Sequence, residues 1–353
     1  MKIVHTADIH IAAQNDTRRA ALEEVLGLCR EQKADALVIS GDLFDSAAAT
    51  QKLRGRLRDS FADCSFHIFI IPGNHDQNGF ADVPFLGENV SVFHNLLEPV
   101  TLGDTCFWGF PYQELDEIQI LQRLRQASSR AETGKTHILL FHGELMDAAG
   151  DWSAYGEEGS RRYLPVRLSF FRDLCWQYVL AGHFHSAFDV HRIRDNAFFI
   201  YPGSPVAITR RETGVRQVAL LETGKAPRAL PLKTPFFEPL SLHLQPYPPV
   251  NPLEEIRRAL ENLPPNGQLL LQVSGYFDGA ALGLNEADLH RQIMEMVGKR
   301  GTALTLSFQD VGSLLKDDLY QLFVQKLRAE TGDELRRKRI SEWVIRAMVE
   351  AER

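Results

Sequence analysis

Five short clusters in this chain carry side chains able to hold a metal ion. They are Asp8-Ile9-His10, Gly41-Asp42, Gly73-Asn74-His75-Asp76, His142-Gly143 and Gly182-His183-Phe184-His185. Their donors are carboxylate, amide and imidazole, and none is a thiolate. That mixture suits Mn²⁺ or Fe²⁺ with open water positions, and Zn²⁺ less well. Two ions about 3.5–4 Å apart need a bridging carboxylate and roughly three further ligands each. One shared Asp with His and Asn around it meets that count. On an extended segment, residues at i and i+2 share a face, so His183 and His185 are expected to point one way, as are Asp8 and His10.

A single Asp or His at a strand end is ordinarily a cap, a turn former or a solvated group. His5, His67, His94, His137, His191, His243 and His290 are read that way. The five clusters differ because each follows an apolar run: Lys2–Thr6, Ala36–Ser40, His67–Ile71, and residues 137–141 and 176–181. These runs read as buried strands. Helical spacing is predicted over residues 17–33, with a capping candidate at Asp16 or Thr17, and over 50–63 and 118–131. Residues 90–93 and Thr105–Phe110 are predicted to form short strands. Ala197–Tyr201 and residues 217–221 read as closing strands joined by the Pro202-Gly203-Ser204-Pro205 turn. Residues 146–165 show no period and are expected to form a long surface loop. Strands alternating with helices, with chemistry at the strand ends, predict layered α/β architecture.

The 353 residues are enough for one large and one smaller domain. A net charge of −7 shows no global basic field, so any contact with nucleic acid has to be local. The four cysteines lack CxxC spacing, which argues against a disulfide framework or a zinc ribbon. No apolar run approaches the roughly 18 residues of a membrane span. The first strand leads directly into a motif, so no signal peptide and a cytoplasmic location are expected. Prolines cluster between 231 and 249, which marks a domain boundary. Beyond it, helices over 253–263 and 286–299 and strands over 268–276 and 303–308 form a second α/β unit. Terminal helices follow over 314–330 and 333–352. In the last one, Ile340, Trp343, Val344, Ala347 and Met348 make an amphipathic stripe that suits docking either on a partner or on this chain's own body.

The order D-x-H, G-D, G-N-H-D, H-G and G-H-x-H resembles the calcineurin-like metallophosphoesterase superfamily, with all five motifs present over residues 1 to about 222. The phrases His5-Thr6-Ala7-Asp8, Gly41-Asp42-Leu43-Phe44-Asp45-Ser46, Tyr178-Val179-Leu180-Ala181-Gly182-His183 and Tyr201-Pro202-Gly203-Ser204-Pro205 are most similar to the Mre11/SbcD-type DNA repair nucleases. The resemblance implies a two-sheet α/β sandwich over residues 1–234, a small α/β capping domain over 235–311, and C-terminal helices over 312–353 that bind a partner. It implies that Asp8, His10 and His185 hold one metal and Asn74, His142 and His183 the other, with Asp42 bridging. The metal is expected to be Mn²⁺, with Fe²⁺, Mg²⁺ or Zn²⁺ as alternatives. His75 would stabilise the pentavalent phosphorane or protonate the leaving oxygen, with Asp76 orienting its ring.

Three departures are visible. Ile11-Ala12 follows the first motif where the family often has Leu-Gly. Asp45 stands where archaeal and eukaryotic members have a His that helps select phosphodiesters. Gln77 replaces the Arg that follows the third motif in Ser/Thr protein phosphatases, which disfavours that activity. Asp45, Arg161, Arg162 and Arg210 are the candidate substrate contacts, and Arg336-Arg337-Lys338-Arg339 is a further basic group. The resulting expectation is a Mn²⁺-dependent DNA exonuclease and endonuclease that processes double-strand-break ends with an SMC-like ATPase of Rad50/SbcC type, and the resemblance implies a homodimer. The alternatives are a small-molecule phosphodiesterase or phosphatase, and a DNA-end-binding scaffold with weak catalysis.

Overall fold

The computed structural model describes residues 1–14, 16–81, 85–147, 163–186, 188–246 and 251–351. The chain divides into two compact units, Met1–Phe236 and Phe237–Arg353.

The first unit is built on two six-stranded sheets. Its elements in chain order are β1 (Lys2–Thr6), α1 (Asp16–Gln32), β2 (Ala36–Ser40), α2 (Ala47–Ala62), β3 (His67–Ile71), the helical turn α3 (Gln77–Phe80), β4 (Val90–Val92), β5 (Val100–Leu102), β6 (Thr105–Phe110), α4 (Glu117–Ser128), β7 (Thr136–His142), β8 (Tyr178–Gly182), β9 (Asp189–Arg194), β10 (Ala197–Tyr201), β11 (Gln217–Glu222) and β12 (Arg228–Pro231). The strand orders are β12-β11-β1-β2-β3-β4 and β5-β6-β7-β8-β10-β9. In the first sheet β1 to β4 run parallel, and β11 and β12 add an antiparallel edge. In the second, β6, β7, β8 and β10 run parallel between antiparallel β5 and β9.

Strands covered on both faces read as continuous apolar runs, which hides the two-residue period. The packing restores it. Within β3, Ile68 and Ile70 join the layer formed with Leu22, Val25, Leu53 and Leu57 of α1 and α2. Phe69 and Ile71 point the other way, into a core shared by both sheets with Val38, Phe107, Ile138 and Leu180. Phe69 stacks on Phe107 at a centroid distance of 4.0 Å, so one aromatic pair bridges the sheets. On the far side of the second sheet, Ile120, Leu124 and Ala127 of α4 pack on Trp108, Leu139, Phe141 and Val179. The order is helix, sheet, sheet, helix. This agrees with the expected α/β sandwich.

Two sequence expectations need correction. β10 and β11 are not neighbours. The Pro202-Gly203-Ser204-Pro205 segment carries the chain from one sheet to the other. Strands β5, β9 and β12 were not expected; each is an edge strand of intermediate or exposed residues, with Ile193 of β9 the one buried exception, so no apolar run announces it.

The second unit has a three-stranded sheet ordered β13 (Phe236–Leu244), β14 (Gly267–Phe277) and β15 (Gly301–Asp310). Its helices are α5 (Pro252–Asn262), the short α6 (Gly279–Leu282), α7 (Glu286–Val297), α8 (Asp318–Glu330) and α9 (Glu334–Ala351). The inward side of α9 is centred on Ile345 and Val349, which pack with Val311, Leu314, Leu315 and Tyr320, and Val344 and Met348 flank them. Trp343 and Ala347 stand on the exposed side, with Trp343 68% exposed. The predicted stripe is thus divided between the chain's own body and solvent. Among the described residues, no helix is long and apolar enough to cross a membrane.

Phe69 is fully buried in the core shared by both sheets. Phe69→Ala should lower unfolding stability by about 3–5 kcal/mol in a denaturant titration.

Candidate metal centre

The five motifs meet at the C-terminal ends of the central strands of the first unit. β1, β2 and β3 deliver Asp8, His10, Asp42, Asn74 and His75 from one sheet, and β7 and β8 deliver His142, His183 and His185 from the other. The loops after β1 and β2 are zipped together by main-chain hydrogen bonds: Asp8 N to Gly41 O at 3.1 Å, His10 N to Asp42 O at 2.9 Å, and Ile11 N to Leu43 O at 2.9 Å. These bonds keep the pairing of the strands going past their ends, so the side chains sit on a stiff base.

The sheets also join here. His142 Nδ1 lies 2.9 Å from Ser40 O, the Ser40 hydroxyl donates to Leu180 O at 2.8 Å, and His183 N donates to both oxygens of Asp8 at 3.1 and 2.9 Å. Such proximity leaves no room for side chains at two positions. A Cβ on Gly182 would collide with Ser40 O, and one on Gly41 (φ +91°) with the His142 ring.

Of the pairs expected to share a face, Asp8 and His10 bring ligand atoms within 4.8 Å by a different route. Asp8 (φ 54°), His10 (φ 51°), Asp42 (φ 49°) and His183 (φ 110°) all adopt positive φ, which non-glycine residues rarely do. The segments are therefore kinked rather than extended. Backbone strain of this kind, of order 1–3 kcal/mol per residue, persists only where surrounding contacts over-determine it.

Asp8, His10, Asp42, His142, His183 and His185 are buried. Ligand atoms of Asp8, His10 and His185 lie within 4.8 Å of one another, as do those of Asp8, Asp42 and His142, and those of His10, Asp42 and His75. Asp42 Oδ2 is 3.3 Å from His142 Nε2 and 3.8 Å from His10 Nε2, so it stands between the two groups. Asn74 Oδ1 lies 2.9 Å from His142 Nε2, and His10 Nε2 3.3 Å from His185 Nε2. His75 is exposed, its ring edge-on to His10 at 4.7 Å, while its main-chain N–H donates to Asp42 Oδ1 at 2.9 Å. Asp76 is buried and accepts from Gly73 N at 2.8 Å and Phe44 N at 3.1 Å, which fastens the turn carrying Asn74 and His75.

The electrostatics follow from burial. Burial pulls the His10 imidazole down to about 3, against the pull of Asp42. Burial works the same way on His142, but the Asp42 and Asp8 carboxylates override it and hold that ring at about 10. Asp42 also resists burial: His142, His10 and His75 keep its carboxyl well below the usual range. Asp8 is pushed up by burial, and Asp76 rises to about 7 from burial and the nearby Asp42 charge. The ring nitrogens of His10, His142 and His185 converge on the buried Asp8 and Asp42 carboxylates. This donor set fits divalent cations of intermediate hardness.

Of the candidate substrate contacts, Asp45 lies at the rim, 3.8 Å from His10 Nδ1 and held by Arg18 at 2.7 Å. Arg210 is exposed on the turn that leads to Glu212. Arg161 and Arg162 lie outside the described residues. Arg18, Glu144 and Glu212 were not singled out from sequence. Glu144 follows the fourth motif directly, Arg18 sits in α1 just after the first, and Glu212 reaches the centre from 27 residues beyond His185.

The calcineurin-like phosphoesterase family matches residues 1–187. The SbcD component of the SbcCD nuclease of Staphylococcus epidermidis is 24% identical over 239 residues, covering 58% of this chain and 61% of that protein. The uncharacterized metallophosphoesterase YhaO of Bacillus subtilis is 23% identical over 239 residues, covering 61% of this chain and 55% of that protein. The chain therefore spans less than two thirds of the length of these curated relatives. Among solved structures, TT1561 of Thermus thermophilus superposes with a TM-score of 0.47 at 15% identity, covering 65% of this chain and 98% of that one. The family match takes in more than half of the residues and all five motifs: the chain belongs to the calcineurin-like phosphoesterase family.

Proposed function

We propose that this protein is a Mn²⁺-dependent DNA nuclease that hydrolyses phosphodiester bonds at a binuclear centre and processes DNA ends with an SMC-like ATPase of Rad50/SbcC type. Calcineurin-like phosphoesterases use a binuclear divalent-metal site, and the ligand groups for one are present here. The observation that carries the reading is the position of Asp42, between His10 and His142 and bonded to the main chain of His75. In this reading Asp8, His10 and His185 hold one ion, Asn74, His142 and His183 hold the other, and Asp42 bridges. When bound, the two ions would acidify a water and neutralise phosphate oxygens.

The protein's own groups do the rest. His75 combines a solvent-facing ring with a fixed main chain, which suits it to protonate the leaving oxygen or stabilise the crowded phosphorus. Asp76 positions His75 through the turn it fastens. Asp45 and Arg210 are proposed to meet the substrate at the rim, Arg210 through a backbone phosphate. DNA as the substrate is supported by the name of the relative in Staphylococcus epidermidis, part of a nuclease. A partner is supported by the second unit. There α8 and α9 border a groove of about 880 Å³ lined by Tyr276, Leu322, Arg337 and Lys338, and Leu319, Leu335 and Trp343 are exposed on the same helices.

The deciding experiment incubates the full chain with end-labelled single- and double-stranded DNA and with a chromogenic phosphodiester, under Mn²⁺, Mg²⁺ or EDTA. DNA should be degraded with Mn²⁺ and left intact in EDTA. His75→Ala should slow degradation by at least about 100-fold. Turnover of the small ester alone would replace this reading with a small-molecule phosphodiesterase. In equilibrium dialysis the chain should bind two Mn²⁺ per molecule, and Asp42→Ala should weaken both equivalents, because both share that carboxylate.

A further inference from the structure

We propose that Glu212 and Glu144 are positioning residues that set the affinity of the two metal half-sites separately, each by holding one histidine of the Gly182-His183-Phe184-His185 segment. The inference rests on the binuclear reading above.

An imidazole ligates through one nitrogen only when the other carries the proton, so whatever accepts from the outer nitrogen fixes both tautomer and ring plane. His185 presents Nε2 to His10 Nε2, and its outer Nδ1 lies 3.3 Å from Glu212 Oε1. Glu212 is fully buried, and its carboxylate is itself held. Oε2 accepts from Ile208 N at 2.8 Å, and Oε1 accepts from Thr209 N at 3.0 Å and the Thr209 hydroxyl at 3.2 Å. Arg216, also buried, secures the main chain at His185 by donating to His185 O, to Ser186 O at 3.2 Å and to Ser204 O at 2.9 Å. A ring anchored at Nδ1 can offer only its Nε2 lone pair towards Asp8 and His10.

His183 repeats the arrangement with the nitrogens exchanged. Its Nε2 is buried, has no hydrogen-bond partner among the described residues and lies 3.7 Å from Glu144 Oε1. That oxygen accepts from Tyr163 N at 3.1 Å, and the Glu144 main chain pairs with Val166 at 2.8 Å, while its N–H donates to Tyr163 O at the same distance. A shift of under about 1 Å would close the histidine–carboxylate bond and leave Nδ1 as the ligating atom. Two histidines two residues apart are thus backed by buried glutamates from two different segments, one for each proposed ion.

The test is a Mn²⁺ titration of the metal-free full chain by calorimetry, with circular-dichroism melts run beside it. Glu212→Ala should weaken one of the two equivalents by about 10–100-fold and leave the other at wild-type affinity. Glu144→Ala should do the same, and the double variant should lose both tight equivalents, which distinguishes action on different ions from action on the same one. Glu212→Gln and Glu144→Gln keep an acceptor at the histidine and should recover most of the affinity. Wild-type affinity for both ions in the Ala variants would overturn the proposal. So would equal weakening of both equivalents by either variant with a lower melting temperature in the Gln forms, the mark of a purely structural brace. If the unmodified chain fails to bind two Mn²⁺, the binuclear reading itself falls.

Discussion

Asp8 and Asp42 are carboxylates sealed between the ends of two β-sheets. Burying such charges is strongly unfavourable unless they are bonded and balanced. Main-chain donors supply part of the compensation, from His183 to Asp8 and from His75 to Asp42, and the ring of His142 lies 3.3 Å from Asp42 Oδ2. Each of these donors comes from a neighbouring motif. The carboxylates therefore dictate where three other segments must be, and those segments in turn carry the remaining donors. A divalent ion placed among them adds positive charge where the protein has assembled negative charge at a cost, so affinity for metal is the counterpart of the burial.

Precision comes from the sheets. Five parallel strands, each covered on both faces, end within reach of one another, and their outer faces are sealed by α1 and α2 on one side and by α4 on the other. The contact at Gly41 and Gly182 is what lets the two sheets meet. It allows Ser40 to accept from His142 on one atom while donating to Leu180 with another. Four residues in left-handed conformations then turn the donors inward, a strain the surrounding bonds hold in place.

Much of this was legible in the sequence. The apolar runs β1, β2, β3, β7 and β8 are bounded by polar donors, and that contrast survives any error in helix ends. The inward turn of Asp8, His10 and His183 was not legible, because positive φ in non-glycine residues has no local signature; it is imposed by contacts with other strands. The edge strands β5, β9 and β12 were hidden because half-exposed segments show no run. Glu212 was hidden for a third reason. It reaches His185 from 27 residues away, and nothing in Arg210-Arg211-Glu212-Thr213 distinguishes it from a solvated turn. The stripe on α9 showed the right amphipathicity and the wrong centre, since Ile345 and Val349 were not counted and Trp343 was.

The hydrogen bond from His75 N to Asp42 Oδ1 makes two jobs mechanically inseparable. The carboxylate proposed to bridge the ions is also the peg on which the main chain of the proposed acid hangs. Whatever repositions that carboxylate moves the histidine by the same linkage, with no signal needing to pass through side chains. In a double-mutant cycle the two positions would then behave as one unit, their losses well short of additive. A lineage that gave up the bridge would have little left for the histidine to do. Decay of this centre should accordingly be abrupt, with both positions drifting together.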